Sequence, residues 1–139
     1  MLYDPTLVQP MREELTSIGF KELRTPDEVD REMQNARGTT LMLVNSVCGC
    51  AAGQARPGVA LALTNPIVPD NLFTVFAGQD TEATVQARSY MKGFPPSSPS
   101  LALFKDGGLV EMIERHQIED SGADQIAAVL VKAFEQHCQ

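Results

Sequence analysis

The chain has 139 residues, 43% of them hydrophobic and 21% charged, which excludes wholesale disorder and fits one domain spanning residues 1–139. Eleven basic against 18 acidic residues leave a net charge of −7, so there is no global field for nucleic acid or an anionic membrane surface. No apolar run approaches the roughly 18 residues of a membrane span, and Met1-Leu2-Tyr3-Asp4-Pro5 lacks the basic and apolar regions of a signal peptide.

Asp4-Pro5 is an N-cap and first-turn pair. Leu7, Val8, Met11, Leu15 and Ile18 follow at helical spacing, and Gly19 stops the helix. Phe20 to Leu23 is a short strand. Thr25-Pro26-Asp27-Glu28 reads as a capping box, opening a helix that Gly38 ends. Thr40 to Asn45 is a continuous apolar run, as expected of a central strand buried on both faces.

Cys48-Gly49-Cys50 comes next, followed by a small-residue helix from Ala51 to Leu63. Pro57-Gly58 inside that helix predicts a kink or break, because proline lacks the N–H donor. Leu72 to Ala77 is another strand. Asp80 caps a helix running to about Lys92, closed by Gly93. A loop with Pro95, Pro96 and Pro99 precedes a strand from Leu101 to Lys105. Asp106-Gly107 is a hairpin turn, and Leu109 to about Glu114 is the return strand. Ser121-Gly122-Ala123-Asp124 opens the last helix, whose buried face is Ile126, Ala127, Leu130, Val131 and Phe134. Strands alternating with helices predict an α/β fold with parallel pairings and helices on both faces, and the final hairpin adds an antiparallel edge.

The cysteines point to chemistry. With no signal peptide recognisable at Met1–Pro5, the default expectation is the cytosol, where stable disulfides are rare. Cys48 falls after a buried strand and before a helix, where reactive groups collect in α/β folds. Unpaired N–H groups at the helix start favour thiolate, so the Cys48 pKa is expected to be lowered. Cys50 is close enough to pair with it, with Gly49 relaxing the tight ring. Two other readings of the pair stay open. The thiols could be buried packing groups, or part of a metal site, although zinc wants four ligands and only Cys138, His116 and His137 remain as soft donors. Cys138, next to last, reads as incidental.

Ser98-Pro99-Ser100-Leu101-Ala102-Leu103-Phe104-Lys105-Asp106-Gly107 places a proline directly before a buried strand and hairpin. Together with the cysteine loop, this run resembles the cis-proline strand of the thioredoxin superfamily. The departures are Cys-Gly-Cys in place of Cys-x-x-Cys and the lack of a preceding tryptophan. A narrower resemblance covers nearly the whole chain. Val44-Asn45-Ser46-Val47-Cys48-Gly49-Cys50-Ala51-Ala52-Gly53 is similar to the active-site signature of the bacilliredoxins. So are Pro10-Met11-Arg12-Glu13-Glu14-Leu15-Thr16 and Gly38-Thr39-Thr40-Leu41.

The resemblance implies a thioredoxin-like fold, a mixed sheet flanked by helices with an added N-terminal helix. It implies removal of bacillithiol from S-bacillithiolated cytosolic proteins, with bacillithiol as thiol co-substrate and no tightly bound cofactor. It also implies a flavin-dependent bacillithiol disulfide reductase as partner. By position, Cys48 takes the nucleophile's role and Cys50 that of its neighbour. Pro99 is expected to be cis beside the cysteine loop. Bacillithiol carries a malate, so its carboxylates call for a cation. Arg56, on the helix after the cysteines, is the candidate, with Arg88 and Lys92 as further cations before the proline loop, although solvated surface charge accounts for each of the three equally simply. Asn45, Ser46 and Gly49 are candidates to contact thiolate or substrate, although Asn45 and Ser46 also suit a simple loop. General disulfide oxidation or isomerisation, or thiol-based metal binding, are the alternative functions.

Overall fold

The computed structural model describes residues 2–139. In chain order it runs α1 (Pro5–Thr16), β1 (Lys21–Glu22), α2 (Pro26–Asn35) and β2 (Thr39–Asn45). A π-helical turn (Ala51–Ala55) leads into α3 (Arg56–Ala62). Then come β3 (Asn71–Phe76), α4 (Thr81–Arg88), β4 (Ser100–Lys105), β5 (Gly108–Ile113), α5 (Arg115–Glu119) and α6 (Ala123–His137). Asp4 caps α1 by accepting from the Thr6 amide, and Thr25 caps α2 by accepting from the Glu28 amide. The Asp106-Gly107 hairpin forms with both residues at positive φ, 51° and 85°.

The strands form one sheet in the order β1-β3-β2-β4-β5. β2 pairs in parallel with β3 and antiparallel with β4, which pairs antiparallel with β5. The β2–β4 pairing corrects the expectation that strands separated by a helix run parallel. α4 ends at Arg88, short of the expected Lys92. The loop from Ser89 to Pro99 then returns the chain to the end of the sheet where β2 finishes, so Ser100 lies opposite Val44. The cysteine loop and the proline loop therefore meet at the same end.

β2 is buried throughout. Leu41 and Leu43 face the layer of α1, α3 and α6, with Val59, Leu130 and Phe134. Met42 and Val44 face the layer of α2 and α4, with Val29, Met33 and Ala83. This alternation explains why the strand reads as an unbroken apolar run. The break at Pro57-Gly58 takes the form of a change from π to α winding, with Pro57 in the first turn of α3. Gly58 allows α3 and α6 to touch, since a Cβ there would lie 2.8 Å from Ile126 Cγ2. No helix among the described residues is long and apolar enough to cross a membrane.

Candidate active site

Cys48 and Cys50 occupy the turn between β2 and the π-helical turn, and both are free thiols. Their Sγ atoms are 2.7 Å apart, so either can donate to the other. Cys48 is partly exposed, whereas Cys50 is 7% exposed and packs into the core. The hydrogen bond from Cys50 lowers the Cys48 pKa. The Cys50 amide, the Arg115 charge and the Ala51 amide add to the effect and outweigh partial burial. Burial, the hydrogen bond to Cys48 and the neighbouring Cys48 charge push Cys50 up to about 11. The pair is thus polarised into an accessible, acidic thiol and a sheltered, reluctant one.

The Cys48 thiolate fraction grows as pH rises through its lowered pKa and then levels off. Alkylation of Cys48 in the reduced protein, followed by peptide mass, is expected to show a midpoint below the ordinary value of about 8.5. Cys50→Ala removes the donated hydrogen bond and should move the midpoint up. A wild-type midpoint at or above the ordinary value contradicts the polarisation.

The loop is held from behind. Asn45 is 1% exposed; its Nδ2 donates to the Met11 carbonyl, and its Oδ1 accepts from the Ser46 amide and from Arg56 Nη1. Ser46 Oγ accepts from the Cys48 amide at 3.3 Å. Arg56 is 2% exposed, and it also donates to the Ser46 carbonyl and to Glu14. The expectation that Arg56 meets substrate carboxylates is therefore corrected: its guanidinium points inward and braces the loop. Asn45 likewise sits behind the loop. The Pro10–Thr16 run has a structural account too, since Met11 and Glu14 hold this bracing, and buried Arg12 pairs with Asp80 and Glu22.

The Ser98–Pro99 bond is cis. Ser98 borders a groove of about 210 Å³ together with Tyr3, Ser46, Cys48, Gly78 and Arg115. Gly49 is exposed, with open space where a Cβ would stand. Arg88 reaches the Ser97 carbonyl and steadies the proline loop, while Lys92 is exposed.

Arg115 did not emerge from the sequence. It opens α5, and its Nη2 lies 3.3 Å from Cys48 Sγ. At that helix start the Glu114 amide donates to Gln117 Oε1, and the Gln117 amide donates to the Glu114 carbonyl. Cys138 contacts the sheet near Thr39, the far end of β2 from Cys48, about 20 Å along the strand. Among the described residues, no three of His, Cys, Asp and Glu cluster so as to hold a metal ion.

The fold resembles solved thioredoxins. A Malassezia sympodialis thioredoxin superposes with a TM-score of 0.58 at 14% identity, covering 87% of this chain and 92% of that one. Mitochondrial thioredoxin 3 of Saccharomyces cerevisiae gives 0.56 at 19% identity, covering 88% and 98%. A thioredoxin-like fold with a polarised thiol pair beside a cis proline defines the class of thiol–disulfide oxidoreductases. Residues 3–138 match the family model described as disulphide isomerase. A bacilliredoxin of Koribacter versatilis is 52% identical over 137 residues, 99% of this chain and 94% of that protein. One of Halalkalibacterium halodurans is 51% identical, covering 99% and 95%. One of Salinibacter ruber is 56% identical, covering 99% and 82%. The chain belongs to the bacilliredoxin family, and it is a thiol–disulfide oxidoreductase.

Proposed function

We propose that this protein removes bacillithiol from mixed disulfides on cytosolic client proteins, with Cys48 as nucleophile and Cys50 as resolving thiol. The observation that carries the reading is the polarisation of the pair, an acidic sulfur in the groove and a protonated one behind it. The bacilliredoxin relatives support bacillithiol as the thiol removed.

The Cys48 thiolate attacks the bacillithiol-side sulfur. The client–bacillithiol S–S bond breaks, a Cys48–bacillithiol bond forms, and the client leaves as thiolate. The Cys48 charge is then gone, and with it a repulsion that held the Cys50 proton in place. Cys50 gives up its proton and attacks Cys48 Sγ, releasing bacillithiol thiolate and closing the Cys48–Cys50 disulfide. Alternatively, a second bacillithiol attacks the adduct and leaves as bacillithiol disulfide, regenerating Cys48. In that route, a flavin-dependent bacillithiol disulfide reductase returns bacillithiol to its thiol form. Ser46 and Gly49 border the approach to Cys48, and Pro99 sets the opposite wall through Ser98. Asn45 and Arg56 act by holding the loop.

The family description favours a second reading, disulfide isomerisation. One comparison separates the two. The reduced protein, supplied with bacillithiol, is presented with a bacillithiolated client and, separately, with a scrambled disulfide protein. Release of the bacillithiolated client's thiol well above the rate with bacillithiol alone, with little unscrambling, is the expected result. Efficient unscrambling without client release overturns the proposal in favour of isomerisation.

A further inference from the structure

The groove over Cys48 has one charged side chain among the described residues that line it, Arg115. The guanidinium reaches three acceptors. Nη2 is 3.3 Å from Cys48 Sγ, Nη1 donates to the Ser98 carbonyl at 3.1 Å, and Nε donates to Glu119 one turn along α5. The Arg115 amide is also within 3.4 Å of Ser97 Oγ. This positive fork stands at the entrance to the reactive sulfur of a chain whose net charge is −7.

We propose that Arg115 is a specificity-determining residue that binds a carboxylate of the small thiol becoming joined to Cys48. It thereby admits anionic low-molecular-weight disulfides ahead of neutral or cationic ones. The inference deepens the reading of Cys48 as the attacked-and-attacking sulfur and rests on it.

Two features of the geometry support the assignment. The first is timing. Nη2 faces an anion only while Cys48 is a thiolate. Exchange turns Cys48 thiolate and R–S–S–R′ into Cys48–S–S–R and R′ thiolate, so the charge on Cys48 Sγ disappears. Nη2 is then left in the groove with no anion, and a carboxylate on R can take that donor. The second is occupancy. The Ser98 carbonyl, directly before the cis proline, already accepts from Arg115 Nη1. An extended peptide seeking to pair with that carbonyl has to displace the guanidinium, whereas a small acidic thiol uses it. Glu119 holds the Nε edge of the fork and is not among the groove-lining residues, so the Nη edge is the one presented to the ligand.

The test measures second-order rates with three small disulfides differing in charge: dithiodiglycolate (anionic), 2-hydroxyethyl disulfide (neutral) and cystamine (cationic). Wild type, Arg115→Gln and Arg115→Lys are compared, all as full chains. Loss of Cys48 thiolate slows all three disulfides by a common factor, which cancels in a ratio. The anionic-to-neutral ratio is expected to fall about fivefold in Arg115→Gln. Arg115→Lys should keep most of it, and the cationic disulfide should gain relative to the neutral one in Arg115→Gln. A ratio unchanged in Arg115→Gln overturns the proposal, since Arg115 then acts only on Cys48 or on the loop. The probes contain no bacillithiol. A protein that shows this charge selectivity but leaves a bacillithiolated client intact keeps the Arg115 assignment and loses the de-bacillithiolation reading.

Discussion

Cys48→Ser is expected to reduce release of client thiol to the uncatalysed background. A serine hydroxyl stays protonated near neutral pH and does not displace a thiol from sulfur, and among the described residues lining the groove there is no second thiol to take over the attack. Cys50 is 7% exposed, and burial, the largest cause of its raised pKa, persists without Cys48, so its sulfur stays sheltered from an incoming disulfide. Cys50→Ser should behave differently. A hydroxyl can still donate toward Cys48, so the first exchange should survive, while internal resolution is lost. Following free client thiol in a single turnover checks both. Comparable loss in the two variants would mean that the pair acts as a unit from the first step.

Arg56→Ala should be the most damaging substitution outside the cysteines. Arg56 is a buried cation that ties α3 to the Ser46 carbonyl, Asn45 Oδ1 and Glu14. Removing it leaves buried acceptors short of a partner and a cavity beside the cysteine loop. The expected cost is about 3 kcal/mol, a fall in Tm on the order of 10 °C. Glu14 is 48% exposed, so Glu14→Gln should cost about 1 kcal/mol or less. Thermal unfolding of the two variants provides the check. Equal losses would mean that the ion pair, rather than the hydrogen bonds to the loop, is what Arg56 supplies.

The contrast between Arg56 and Arg115 shows how far the site could be read from residues alone. Arg56 was legible as a cation on the helix after the cysteines, because both lie in one continuous stretch. Which way it faces depends on α1 packing across the loop, a contact between residues 42 apart in the chain. Arg115 lies 67 residues from Cys48 and reaches it only because the hairpin sets Ile113 opposite Leu101, beside the proline loop. α5, at five residues, is too short to show helical periodicity.

Other parts were legible for local reasons. β2 is apolar on both faces because it is central, and Asp106-Gly107 turns because both residues accept positive φ. The direction of β4 was not legible. It depends on whether the loop from Ser89 to Pro99 crosses the length of the sheet, and composition does not specify that path.

The central claim is that Cys48 takes bacillithiol from the client onto itself. Intact mass and peptide mapping of Cys50→Ser after exposure to a bacillithiolated client test it most directly. The account predicts a single bacillithiol adduct on Cys48, accumulated because the resolving thiol is gone, together with free client. No adduct should form on Cys48→Ser. Client protein in place of bacillithiol on Cys48, or an adduct on Cys48→Ser with none on Cys50→Ser, would contradict it.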